Sequence, residues 1–264
     1  MNTAEERPLV PPLRRHRLAY LNAAGWEAIR ARPWDAQARA CIEHWAAHRL
    51  PLVVTRQPAA SGATPMPMHV PGPGPALVPA PMQVPMPGPA PALVALGLPA
   101  PTAWGRRRLA LEVPRDALAW FDEFPAAAEA APLLPRESRA AWRALCRALA
   151  SCGAAARVYG SCGWQLRTGL IYLREGSDAD VWVAVDDAAH ADAATRALAA
   201  YAPARGPRLD GELVFGDGAA VAWREWQAWR AGRVRQLLVK RLEGAFLADA
   251  SFAGRSMAVP ELAS

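Results

Sequence analysis

Tyr159-Gly160-Ser161-Cys162-Gly163-Trp164-Gln165 and, after a short gap, Gly176-Ser177-Asp178-Ala179-Asp180-Val181-Trp182-Val183 form the most informative run in the sequence. Val181 to Val185 is strongly β-prone. Asp178 and Asp180 stand at i, i+2 on entry to that strand, so both side chains point to one face. Adjacent carboxylates repel and raise each other's cost of ionisation, and a divalent cation removes that penalty. Hard oxygen ligands suit Mg²⁺, which usually takes one or two carboxylates plus substrate phosphates. Upstream, Gly160 and Ser161 are predicted to form a loop whose amides and hydroxyl can hold a phosphate. A further acid is needed on a neighbouring strand. Leu209-Asp210-Gly211-Glu212-Leu213-Val214-Phe215 offers two, Asp210 and Glu212, and the spacing does not choose between them. Either would complete a two-metal site, which activates an attacking oxygen and stabilises the leaving one.

Around this run the C-terminal half alternates strand and helix. A helix is predicted from about Arg136 through Ala150, stopped by Gly153. Asp186 and Asp187 read as the cap of an alanine-rich helix reaching Tyr201. Gly216-Asp217-Gly218 reads as a hairpin turn between Leu209–Phe215 and Ala219–Trp223. Arg235 to Lys240 is the last clear strand. The predicted fold is α/β or α+β, a mixed sheet flanked by helices, with a catalytic domain over 135–264.

Residues 1–134 are expected to form a smaller α/β part. Residues 14–50 read as helical, with Asp35 as an N-cap and Ala38, Cys41, Ile42 and Trp45 on one face. His44 and His48, at i, i+4, have zinc-binding spacing but no third ligand nearby, so they read as packing or surface residues. Leu52 to Arg56 is a short strand. Between Pro65 and Pro91 there are 11 prolines in 27 residues. This is expected to be a tolerated mobile insertion, spanning about 58–94, with polyproline II character. Structure is expected to resume near Arg106, with a strand over Arg107 to Val113.

Residues 57 to 105 contain no Asp, Glu, Lys or Arg, and the remaining 215 residues carry 54 charges, an ordinary globular density. No window reads as a transmembrane span, and the N-terminus lacks a secretory h-region. Cys41, Cys146, Cys152 and Cys162 fit neither a zinc knuckle nor a disulfide framework, which suggests a cytoplasmic location. The net charge of +6 favours anionic partners. Of the 30 basic residues only Lys240 is a lysine, which draws attention to it.

The order strand, Gly-Ser, gap, Asp-x-Asp, later acid resembles the nucleotidyltransferases of the DNA polymerase β superfamily. The Tyr159–Gln165 run, Thr168-Gly169-Leu170, Ser177–Asp180, Leu209–Glu212, Val221-Ala222-Trp223-Arg224-Glu225, Leu238-Val239-Lys240 and the N-terminal Arg15-His16-Arg17-Leu18 are together similar to one family, the malonate decarboxylase holo-acyl-carrier-protein synthases, or phosphoribosyl-dephospho-CoA transferases. The proline-rich segment is longer than that family's pattern. The resemblance implies transfer of a 2'-(5''-phosphoribosyl)-3'-dephospho-CoA group from triphosphoribosyl-dephospho-CoA to a serine of the apo acyl carrier subunit of malonate decarboxylase, with loss of pyrophosphate. It implies a polymerase β-like core in which Asp178, Asp180 and Asp210 hold two Mg²⁺ ions. Asp210 or Glu212 lies near the serine, one of them acting as base. Gly160 and Ser161 hold the β- and γ-phosphates, and Lys240 or Arg174 offsets charge on pyrophosphate. Trp164 and Gln165 shape the donor pocket, unless Trp164 is core; Trp223 and Trp226 read as core or interface.

Two other readings compete. One is a different nucleotidyltransferase acting on a small molecule, a protein or an RNA end, although no strand-binding module is evident and neither nucleic acid nor membrane is expected as a partner. The other is a non-enzymatic, basic, proline-rich binding protein whose acids are merely solvated.

Overall fold

The computed structural model describes residues 13–58, 93–249 and 252. They build two sheets, each with its own helical cover. The proline-rich segment lies outside the described residues except for Pro58, Leu93 and Val94, as does the extreme N-terminus.

The first sheet is antiparallel throughout. Its strands are β1 (Leu18–Leu21), β2 (Leu52–Val54), β3 (Leu93–Pro99), β4 (Arg108–Pro114) and β5 (Leu118–Asp122), in the order β4-β3-β2-β1-β5. Helices α1 (Ala23–Arg30) and α2 (Ala36–Ala47) supply Trp26, Ile29, Ile42 and Trp45 to a core that includes Leu96 and Leu111. Asp35 caps α2, its carboxylate accepting from the Ala38 amide at 2.9 Å. Three expectations are corrected here. The helical reading of 14–50 is interrupted, because Leu18–Leu21 pairs on both edges with β2 and β5 and Asn22 then caps α1. Structure resumes at Leu93, not near Arg106, because β3 pairs with β4 along its whole length. Strand β5 was not anticipated at all. His44 and His48 stack on each other at 4.1 Å on the same helix.

The second sheet is mixed. Strands β6 (Ala156–Val158), β7 (Ala179–Val185), β8 (Leu209–Phe215), β9 (Ala220–Ala222), β10 (Leu237–Lys240) and β11 (Ala245–Ala248) lie in the order β11-β10-β9-β8-β7-β6. Only β7 and β8 run parallel, and a parallel pair needs a crossover. Helix α5 (Ala188–Ala199), capped by Asp187 as expected, supplies it. Helices α3 (Arg136–Ser151), α5 and α6 (Trp223–Arg230) cover one face. There Leu145, Leu149, Leu198 and Trp226 meet Val181, Val183, Leu213 and Val239. Trp223 and Trp226 are core residues. The Gly216–Gly218 turn joins β8 to β9 as a hairpin, and β11 extends the sheet beyond the strand expected last.

The face away from those helices carries the polar residues. Along β7 and β8 buried and half-buried positions alternate, so Asp180, Asp210 and Glu212 stand opposite the valine and leucine face. The first sheet reaches this side through three ties. Trp164 and Tyr172 of the second half pack into the first core beside Phe124. The Gln57 amide donates to the Leu242 carbonyl at 2.8 Å. His16, just before β1, bonds Glu212.

Candidate active site

The register of the parallel pair sets Asp180 directly opposite Asp210. Asp180 is pushed up to about 6, first by burial and then by the charges of Asp210 and Asp178. Asp178 is shifted the other way. Arg208 donates to both its oxygens, at 3.2 and 2.7 Å, and holds its carboxyl below the usual range. The same guanidinium lies 3.8 Å from Asp210. A cation of the protein's own thus sits against the acids. Arg208 was not among the residues singled out from the sequence.

The Gly-Ser motif is not a loop. It forms the first turn of α4 (Gly160–Thr168), which starts directly after β6. The first intrahelical donor is the Gly163 amide, which reaches the Tyr159 carbonyl at 3.0 Å. The amides of Gly160, Ser161 and Cys162 precede it and are the donors a helix start offers to an anion. Two glycines make this approach possible. Gly160 has φ +56, and a Cβ there would fall inside the Asp180 carboxylate. A Cβ on Gly163 would meet the Val158 carbonyl at 2.5 Å. The helix start therefore sits against the acid because neither residue has a side chain.

Glu212 occupies a different environment from Asp210. Its side chain is 7% exposed and takes three partners: His16 Nε2 at 2.9 Å, Lys240 Nζ at 2.8 Å and Arg15 at 3.5 Å. Burial alone would raise its pKa, but the His16 hydrogen bond, the charges of His16 and Arg15, and the Lys240 hydrogen bond hold it at about 2. Lys240 is thereby bound to a carboxylate on the acid-bearing face.

A cavity of about 790 Å³ opens between the two sheets. It is lined by His16, Tyr159, Gly160, Ser161 and Asp180, and by Arg56, Arg106 and Arg108, which lie in or beside strands of the first sheet. Such a volume suits a nucleotide-sized ligand. Trp164 also lines the cavity, yet it is 4% exposed and packed in the first core. Gln165 points elsewhere, its Oε1 accepting from the Tyr172 and Leu173 amides at 3.0 Å each, so it fixes the loop after α4. Arg174 lies apart from this cavity, in a smaller pocket shared with Asp178. The arginines from the first sheet and His16 were not identified as site residues from the sequence. The Arg106-Arg107-Arg108 run at the start of β4 was their one visible trace.

Among the described residues no group of three or more His, Cys, Asp or Glu side chains is assembled as a metal cage. The donor set at the cavity edge is Asp180, which lines it, with Asp210 opposite on the neighbouring strand; such a carboxylate pair is what Mg²⁺ uses when substrate phosphates supply the remaining oxygens. The raised Asp180 and the guanidinium against Asp178 and Asp210 both mark a place that favours added positive charge.

The fold and site suit an enzyme that grips an extended anion between arginines and a helix N-terminus and presents it to paired acids. Comparison with known proteins gives that class a family. Residues 117–251 match the phosphoribosyl-dephospho-CoA transferase MdcG C-terminal domain, and residues 14–78 match the MdcG N-terminal domain. A protein named phosphoribosyl-dephospho-CoA transferase from Bradyrhizobium diazoefficiens is 33% identical over 242 residues, covering 90% of this chain and 91% of its own. Proteins of the same name from Xanthomonas campestris pv. campestris (36% over 149 residues, 56% of this chain and 68% of theirs) and Xanthomonas axonopodis pv. citri (31% over 230 residues, 86% and 89%) are also similar. No solved structure matches the chain. The chain belongs to the phosphoribosyl-dephospho-CoA transferase family and is a transferase enzyme. That sets aside the reading as a non-enzymatic binding protein. Among the described residues no helix is long and apolar enough to cross a membrane.

Proposed function

We propose that the protein transfers the 2'-(5''-phosphoribosyl)-3'-dephospho-CoA group from triphosphoribosyl-dephospho-CoA to a serine of the apo acyl carrier subunit of malonate decarboxylase, in the cytoplasm, releasing pyrophosphate. The observation that carries this reading is the single cavity joining Arg56, Arg106 and Arg108 to the start of α4 and to Asp180. A donor with a triphosphate on one side of its adenosine and the CoA diphosphate on the other offers two anionic groups to the arginines and the helix start that line the cavity. Family membership supplies the transferred group.

In this reading the amides of Gly160 and Ser161 and the Ser161 hydroxyl hold the β- and γ-phosphates. Asp180 and Asp210, with Asp178 beside them, would hold Mg²⁺, two ions in a polymerase β-like site. When bound, Mg²⁺ neutralises charge on the triphosphate and on the leaving pyrophosphate. Asp210 is preferred over Glu212 as the third acid because it faces Asp180, whereas Glu212 is committed to His16, Lys240 and Arg15. Lys240, oriented by Glu212, is a cation of this face that steadies developing charge. Arg174, beside Asp178 in a pocket apart from the cavity, is the alternative cation for the pyrophosphate charge. Trp164 gives the cavity a rigid wall, and Gln165 holds the loop behind it.

The test is loading of the carrier. Apo carrier subunit, donor, Mg²⁺ and this protein are incubated and the carrier is weighed intact. A gain equal to the phosphoribosyl-dephospho-CoA group, abolished by EDTA, is expected. No gain on the malonate decarboxylase carrier, with gain on a citrate lyase carrier, would reassign the acceptor. No gain on either would overturn the transfer.

A further inference from the structure

Nucleophilic attack by a serine needs a group to take the hydroxyl proton. The titratable side chains on the cavity wall are few: His16, Arg56, Arg106, Arg108, Tyr159 and Asp180. Arginines keep their protons. A tyrosine phenol ordinarily keeps its proton near neutral pH. Asp180 belongs to the paired acids. His16 remains.

His16 is held in an arrangement that suits this role. Its Nε2 lies 2.9 Å from Glu212 Oε2. Lys240 and Arg15, which can only donate, also contact that carboxylate. With Nε2 donating to this carboxylate, Nδ1 is the nitrogen left to accept a proton whenever the ring is in its base form. The ring is braced against Tyr159, with centroids 4.5 Å apart. Its backbone sits at φ +62, a conformation that residues other than glycine rarely adopt and that persists where surrounding contacts impose it. A carboxylate fixing one imidazole nitrogen while the other faces the reacting group is the geometry by which enzymes make a histidine a directed base.

We propose that His16 is the general base of the transfer and Glu212 its positioning residue. The proposal rests on the transfer reading above. The serine Oγ–H bond breaks and its proton goes to His16 Nδ1. The Oγ electron pair forms the bond to the α-phosphorus. The bond from that phosphorus to the bridging oxygen breaks, and its electron pair leaves with pyrophosphate. The imidazolium, stabilised by Glu212, returns its proton to solvent. His16 lies in the N-terminal part and the acids in the C-terminal part, so the site would be completed by both halves of the chain.

The positive φ provides the experiment. Glycine accepts that backbone freely, so His16→Gly should fold and leave an imidazole-sized space beside Tyr159 and Glu212. His16→Gln keeps a donor for Glu212 but removes the base. Carrier loading and donor Kd are measured for wild type and both variants, with and without added imidazole. Expected are wild-type loading, a fall in kcat of about 100-fold or more in both variants, donor Kd within about threefold, and recovery of His16→Gly alone by imidazole. Wild-type loading with either variant within about threefold in kcat, or a loss in His16→Gly that imidazole leaves unchanged, would overturn the role of His16 alone. Failure of the wild type to load any carrier would overturn the transfer reading and this proposal with it. Should His16→Gly not fold, His16→Gln decides by the same kcat criterion.

Discussion

Gly160 lies so close to Asp180 that the carboxylate occupies the space a Cβ would need. The helix start that faces the cavity and the acid that faces Asp210 are thus fixed to one another. Gly160→Ala is expected to push Asp180 aside and to force a left-handed backbone on alanine. The second effect costs about 1–2 kcal/mol. Misplacing a reacting group by about 1 Å costs on the order of 100-fold in rate. Carrier loading should therefore fall by about that factor in a protein that remains folded by circular dichroism.

Asp180 is expected to weaken the metal-free fold. Its pKa is about 6 in the folded chain against an ordinary value of 3.8. A carboxyl whose pKa rises on folding penalises the folded state fully above the folded value, and the penalty vanishes below the unfolded one. Asp180→Asn should stabilise the protein at pH 7 by about 1–2 kcal/mol in EDTA while losing activity. The gain should disappear by about pH 4. Urea melts at the two pH values check both the size and the sign.

Glu212 should show the opposite dependence. Its pKa falls from 4.5 to about 2 on folding, so its contribution is complete above the ordinary value and is lost as pH falls through the folded one. Glu212→Gln should cost about 2 kcal/mol at pH 7, and its stability should converge with that of wild type near the bottom of that range. Acid titration of both proteins followed by tryptophan fluorescence reads the difference.

The cavity arginines should act on binding. Arg56→Ala and Arg108→Ala each remove a charged donor from the lining of the cavity that the start of α4 also lines. Each is expected to weaken donor binding by about 10-fold or more, with kcat little changed. Isothermal titration with dephospho-CoA as well as the full donor locates the contact. Loss for the full donor alone would place the arginine at the triphosphate.

The sequence carried the local features of this fold and lost the long-range ones. Val181–Val185 reads as a strand from its β-branched residues, and Asp35 and Asp187 read as caps because capping is settled within four residues. Leu18–Leu21 did not read as a strand, since its partners lie at Leu52–Val54 and Leu118–Asp122. Gly160–Thr168 did not read as a helix, because Gly-Ser-Cys-Gly is poor helix sequence. Packing of Trp164 against Phe124 and Tyr172 holds it in place. The candidate site divides the same way. Asp180 and Asp210 were legible from alternation on two strands, and Asp178 from its place just before the first of them. His16 was not, because only folding brings it to Glu212 across 196 positions. Arg56 and Arg108 belong to the site only through the closure of one sheet over the other.

The most direct measurement follows carrier mass and released pyrophosphate in one reaction, for wild type and Asp180→Asn, with donor and Mg²⁺ present. Wild type should add one phosphoribosyl-dephospho-CoA group per carrier and release one pyrophosphate for each. Asp180→Asn should do neither while still folding. Equal loading by the variant, or pyrophosphate released without any gain in carrier mass, would contradict the account.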